Sequence, residues 1–222
     1  MNVKDIYSLF QKTKGVVTDT RLSVENSFFV ALKGKNFDGN NFAEEAIKKG
    51  ASYALVNIEI KSKTNNKFIY VNDTLKTLQK LANYHRKIIK TKIIAITGSN
   101  GKTTTKELLN EILSKEFKTF ATEGNLNNHI GVPLSLLNIK KECSYAVIEL
   151  GANHIGEIKE LCEIAEPDFG LITNFGYAHL EGFGSFQGVI KGKSELYDYI
   201  TGKKGRIFIN VDDPIQEKWL NY

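Results

Sequence analysis

Lys92–Lys106 reads KIIAITGSNGKTTTK, and the rest of the chain is organised around it. Ile93, Ile94, Ala95, Ile96 and Thr97 read as a buried strand, Gly98 and Gly101 bracket a tight turn, and Lys102 opens a helix. A strand that runs through a glycine turn into a helix N-terminus makes a phosphate cradle. Backbone N–H groups point into the turn, and the helix dipole adds roughly half a positive charge there. On this reading Gly98, Ser99, Asn100, Gly101, Lys102, Thr103 and Thr104 hold the phosphates of a nucleotide: Lys102 reaches the β- and γ-phosphates, and the Thr103 hydroxyl ligates Mg²⁺. The full P-loop pattern has a further glycine six residues before the lysine; Ile96 stands there, so the loop is a shortened variant. An ordinary glycine turn before a helix is the plainer alternative. The strand, the Gly-Lys pair and the threonine run together favour a nucleotide.

Upstream, apolar spacing predicts a short helix over Val3–Thr13, then strands at Val16–Val17, Ser27–Leu32, Tyr53–Val56 and Phe68–Val71. Helices are expected over Phe42–Gly50 and Thr74–Lys87. Two loops follow strand ends, where α/β sheets place ligands: Asp19-Thr20-Arg21, and the segment carrying Lys33, Gly34, Asp38 and Gly39. Either is equally readable as a turn with solvated charges. His85 lies on a helix with no partner that the sequence names. The polar junction near Lys90 divides the chain into residues 1–89 and 90–222.

Downstream, the helix Lys102–Lys115 is expected to bury Leu108, Leu109, Ile112 and Leu113. A strand Phe117–Ala121 leads into an asparagine-rich turn whose Asn127 and Asn128 face either their own backbone or a ligand. Gly131-Val132-Pro133 breaks the chain before a short helix, Leu134–Leu137. Tyr145–Leu150 is a second buried strand and delivers Glu149 at its C-terminal end. The helix Ile155–Ala165 turns Ile158, Leu161, Cys162 and Ala165 inward; Phe169–Thr173 is a strand leading to His179; Gly205–Val211 is another, ahead of an Asp212-Asp213-Pro214 turn. On the helix near Gln187–Ile200, Lys191, Lys193 and Glu195 read by composition as a solvated face. Alternating strands and helices predict a parallel sheet with right-handed crossovers, so the phosphate loop, Glu149 and His179 share one sheet edge. Glu149 is then the acid that holds Mg²⁺, directly or through water. His129 and His154 have less to recommend them than His179.

Composition excludes several classes. With 41% hydrophobic and 10% aromatic residues and 3 prolines in 222 residues, the chain is not disordered. The net charge of +5 comes from 30 basic and 25 acidic residues without a like-charge block, and no aromatic-basic platform marks a nucleic-acid binder. Cys143 and Cys162 lack metal-type spacing and are expected as reduced core residues in a cytoplasmic protein. The sequence contains no apolar run of membrane-span length and no signal-peptide apolar region at its start.

Taken together, these segments resemble the Mur ligases, the ATP-dependent amide-bond ligases of peptidoglycan synthesis. The resemblance rests on TGSNGKTTTK, on DTR followed by FVALKGKNFDGNNFAEEAIKKGA, on GNLNNHIGVPLSLL, on ELGANHIGEIKEL, on PDFGLITNFGYAHLEGFGS and on KGKSEL. The order is similar to the branch that adds D-alanyl-D-alanine to UDP-N-acetylmuramoyl-tripeptide, rather than the branch that adds diaminopimelate or lysine. It implies a small N-terminal α/β domain that binds the UDP end, with Asp19, Thr20, Arg21, Lys33, Gly34, Asp38 and Gly39 as candidates. A P-loop, mostly parallel-sheet ATP domain follows. There the resemblance implies that Lys102 and Thr103 hold phosphates and Mg²⁺, that Glu149 ligates one metal and His179 a second, and that Lys193 is the family's carbamylated lysine. Asn127 and Asn128 would face nucleotide or muramyl substrate. It also implies a monomer of about twice this length, so the chain is expected to be a fragment, inactive by itself. A nucleotide-binding module without ligase activity is the alternative from another class.

Overall fold

The computed structural model describes residues 1–60 and 65–221. The chain divides into two compact units, Met1–His85 and Arg86–Tyr222. The first holds helix α1 (Val3–Phe10), strands β1 (Val16–Val17) and β2 (Phe28–Val30), helix α2 (Ala43–Lys48), strands β3 (Tyr53–Val56) and β4 (Phe68–Tyr70), and most of helix α3 (Thr74–Ile88). Its four strands lie in chain order and are all parallel. The strands are short but wholly apolar. Phe29, Ala31, Ala54, Val56 and Phe68 pack with Ala43, Ala46 and Ile47 of α2 into one buried cluster. Asn2 caps α1 by accepting the Asp5 N–H, and Ile6, Tyr7 and Phe10 turn inward at helical spacing. His85 is buried, with Nδ1 3.0 Å from the Tyr7 hydroxyl.

The second unit runs β5 (Lys92–Thr97), α4 (Lys102–Leu113), β6 (Thr119–Ala121), α5 (Gly131–Asn138), β7 (Tyr145–Glu149), α6 (Glu157–Ala165), β8 (Phe169–Ile172), α7 (Leu180–Phe183), α8 (Phe186–Gly202) and β9 (Arg206–Phe208). The five strands form a parallel sheet in the order β6-β7-β5-β8-β9. The central strand β5 is thus flanked by the strand that ends in Glu149 and by the strand that leads to His179. α6 packs against both α5 and α8, and α4 lies on β5, β6 and β7. Gly170 on β8 sits under Leu196 and Ile200 of α8, where a Cβ would come within 2.4 Å of the Ile200 side chain.

Three expectations need correction, and one short helix is new. α4 does not bury its apolar stripe: Leu108 and Ile112 are 61% and 69% exposed, Leu109 and Leu113 are half-buried, and the residue it buries is Lys106. Apolar spacing names a helix face but not what covers it. Gly131-Val132-Pro133 opens α5 rather than breaking the chain, because proline is tolerated in a first turn whose N–H groups have no intrahelical partner. Cys162 is a buried core thiol, but Cys143 is only half-buried. His179 is followed by a short helix, α7, that no periodicity announced.

Candidate nucleotide and metal site

Gly98 and Gly101 build the loop between β5 and α4. Gly101 has φ +77° at the N-terminus of α4, a left-handed conformation that glycine adopts without steric cost. Gly98 has φ +149°, and a Cβ there would stand 1.9 Å from Thr173 Oγ1. The loop is laced to the end of β8. The Ser99 hydroxyl donates to Gly176 O at 3.0 Å and accepts the Gly176 N–H at 2.8 Å. Asn100 N–H donates to Asn174 Oδ1 at 3.1 Å, and Thr173 Oγ1 donates to Asn100 O at 2.7 Å. The turn is therefore held from outside by the segment that follows β8. Lys102 Nζ turns back to Gly98 O at 2.9 Å, at the head of the helix.

Glu149 is 2% exposed at the end of β7. Thr103 Oγ1 donates to its Oε2 at 2.9 Å, and Asn127 Nδ2 donates to its Oε1 at 2.7 Å. Its own N–H is received by Thr122 Oγ1 at 3.1 Å. Asn127 thus orients the acid as well as facing the cleft. It fits because residue 151 is glycine; a Cβ there would meet Asn127 Oδ1 at 2.7 Å. Asn128 instead uses Oδ1 to receive the N–H groups of Ile130 and Gly131 at the start of α5.

Lys102, Asn127, Asn128, Gly151, Asn153 and His179 line one cavity of about 380 Å³. His179 stands exposed on its rim, with φ +54° at the N-terminus of α7. Among the described residues no three His, Cys, Asp or Glu side chains gather as a metal cluster. A cation here would take Glu149, the Thr103 hydroxyl and phosphate oxygens, a hard-oxygen set that suits Mg²⁺.

Lys193 overturns the reading of α8 as a solvated face: it is 1% exposed, whereas Lys191 is exposed. Gly188 and Gly192 let α7 lie directly against α8, which brings the Phe183 ring 5.5 Å from Lys193 Nζ. Burial, and secondarily the positive charge of Lys102, push the Lys193 ammonium down from 10.5 to about 8. Glu195 on the same helix is not merely solvated either. Its carboxylate receives the N–H groups of Gly156 at 2.6 Å and Lys159 at 3.0 Å, capping α6 from a neighbouring helix.

In the first unit, Thr18, Asp19, Thr20, Arg21, Phe29, Phe37, Gly39 and Phe42 surround a second cavity of about 490 Å³. Lys33, Gly34 and Asp38 do not line it. Asp38 accepts from the backbone and side chain of Asn40 and so shapes the turn. Arg21 grips Asp19 with Nε and Nη2, and this hydrogen-bonded pairing lowers the Asp19 carboxyl to about 2.

Comparison with known proteins agrees with this geometry. The Mur ligase middle domain matches residues 96–222, and the family model described as Mur ligase family, catalytic domain, matches residues 12–86. The UDP-N-acetylmuramoyl-tripeptide–D-alanyl-D-alanine ligase of Escherichia coli K12 is 42% identical over 207 residues, which is 93% of this chain and 44% of that protein. A crystal structure of MurF from Acinetobacter baumannii superimposes with a TM-score of 0.86 at 38% identity, covering 98% of this chain and 50% of that one. MurF ligase from Thermotoga maritima in complex with ADP gives 0.76 at 37% identity, covering 84% and 43%. The chain thus spans about half the length of the relatives it matches. With one family model covering more than half of its residues, and with a glycine loop and helix start joined to a buried acid at one sheet edge, the chain belongs to the Mur ligase family.

Proposed function

We propose that this protein acts in the ligation of D-alanyl-D-alanine to UDP-N-acetylmuramoyl-tripeptide at the expense of ATP, a step of peptidoglycan precursor synthesis in the cytoplasm. The observation that carries this reading is the setting of Lys193, a buried ammonium beside the phosphate-loop lysine with no carboxylate partner among the described residues. A simple nucleotide-binding module has no use for such a group. A ligase that must bring a carboxylate to a triphosphate does.

In this reading Gly98–Thr104 and Lys102 hold the phosphates, and Thr103 with Glu149 holds Mg²⁺. His179 and Lys193 serve a second Mg²⁺. The metals, when bound, neutralise the repulsion between the anionic acyl donor and the triphosphate. The substrate carboxylate attacks the γ-phosphoryl group, giving an acyl phosphate and ADP; the dipeptide amine then attacks the acyl carbon and phosphate departs. No protein nucleophile is required. Lys193 contributes oxygen donors once its neutral amine adds to carbon dioxide, forming a carbamate and releasing one proton. Its lowered affinity for a proton supports this, because the neutral form is the reactive one. The Thr18–Arg21 cavity of the first unit takes the uridine diphosphate end, with Arg21 as its cation.

Two measurements test the proposal. Titration calorimetry of this chain with UDP-N-acetylmuramoyl-tripeptide should show binding; silence would favour the nucleotide module. In the longer protein, ATP hydrolysis should depend on D-alanyl-D-alanine. Stimulation by diaminopimelate or lysine instead would move the assignment to another branch.

A further inference from the structure

Lys106 is, like Lys193, almost wholly shielded, and the ligation chemistry does not use it. It stands one helical turn beyond Lys102 on α4, with 0% exposure. Its Nζ donates to the carbonyl of Thr122 and pairs with Glu107 Oε1 at 2.9 Å. Thr122 is 1% exposed. It sits just past β6, anchored by its own N–H to Val147 O at 3.0 Å. Its hydroxyl receives the N–H of Glu149. Two routes therefore join α4 to the acid. One is direct, from Thr103 to the Glu149 carboxylate. The other runs from Lys106 through Thr122 to the Glu149 backbone.

We propose that Lys106 is a positioning residue for the Mg²⁺ site: by holding the Thr122 carbonyl it fixes the hydroxyl that receives the Glu149 N–H, and so sets where the Glu149 carboxylate stands relative to Thr103. The inference rests on the nucleotide and Mg²⁺ reading of the phosphate loop. Its physical basis is economy of burial. An ammonium sequestered under a helix is costly unless its partners hold it, so a neutral residue of similar volume would serve packing as well or better. What a neutral residue does not do is fix the position of one carbonyl at the base of the site. Stability alone consequently does not distinguish a positioning role for Lys106 from a packing role, whereas metal dependence does.

The experiment is calorimetry of ADP binding to this chain in excess MgCl₂ and in EDTA, for wild type, Lys106→Met, Thr122→Val and the double variant, with folding followed by Trp219 fluorescence. Expected for Lys106→Met is ADP affinity in EDTA within about twofold of wild type, and a roughly tenfold loss in MgCl₂, the size of one charge-assisted hydrogen bond. Thr122→Val removes only the hydroxyl and should reproduce the loss. The double variant should be no worse than either single one, because the two act through one path. An Mg²⁺-dependent gain equal to wild type in folded Lys106→Met overturns the proposal, as do additive losses in the double variant. If Lys106→Met does not fold, an unchanged Mg²⁺ gain in Thr122→Val overturns it, and a lost gain supports it. Absence of any ADP binding by wild type, in either buffer, removes the nucleotide site itself and the proposal with it.

Discussion

Replacing Lys193 by methionine should abolish a specific pH dependence of folding stability. In the folded protein this lysine titrates near 8, against 10.5 for the ordinary side chain. Below pH 8 the ammonium is protonated in both states, and the native state carries the full burden of burying it beside Lys102. Between pH 8 and 10.5 the unfolded chain binds the extra proton, so unfolding becomes harder as pH rises, by about 1.4 kcal/mol per pH unit. Above 10.5 the effect is complete. The shift corresponds to about 3 kcal/mol in total, in the direction of greater stability at high pH. The assay is urea unfolding in carbon dioxide-free buffer from pH 7 to 11, read by Trp219. This single tryptophan is buried against Tyr197, with ring centroids 5.0 Å apart, and reports the unit that contains Lys193. The quantity is the difference between wild type and Lys193→Met, in which other titrations cancel. It should change by about 3 kcal/mol across that window. A difference that stays level would show that Lys193 is not desolvated in the way its setting dictates, and that its amine has no special reactivity. With bicarbonate added near pH 8, native wild type should gain the mass of one carbon dioxide, and Lys193→Met should not.

Three further outcomes follow from the same geometry. Gly98→Ala places a Cβ against Thr173 Oγ1 at a strained φ, and should cost roughly 1–3 kcal/mol while abolishing ADP binding by calorimetry; Thr173→Ala added to it should recover part of the stability. Glu195→Ala uncaps α6 and should lower stability by about 1–2 kcal/mol in urea unfolding, with Glu195→Gln intermediate because it keeps an acceptor. Arg86→Ala removes a guanidinium that donates to Ala165 O, Glu166 O, Thr91 O and Asp168 Oδ2, and should cost about 2–3 kcal/mol by the same measurement.

The parallel architecture of the second unit is legible in the sequence alone, because apolar runs such as IIAI and YAVI alternate with helical periodicity and admit few other arrangements. The glycine turn between β5 and α4 is legible there too, since Gly98 and Gly101 act through local backbone geometry. From a parallel sheet it also follows that Glu149 and the loop meet at one edge, and Thr103 and Glu149 do. The exposed side of α4 was beyond its reach, because a helical stripe records apolar residues and not the surface they meet. So were the opposite fates of Lys191 and Lys193, which differ by two positions on one helix and by nothing in composition. Residues two apart on a helix face opposite ways, and the side that Lys193 takes is the one that Gly188 and Gly192 leave open to Phe183. Asn127 as a support of Glu149, Glu195 as a cap for α6 and Lys106 beneath the acid are contacts across 22, 39 and 16 residues. Short-range chemistry is written in neighbouring letters; these long-range pairings exist only once the sheet and its helices have closed the distance.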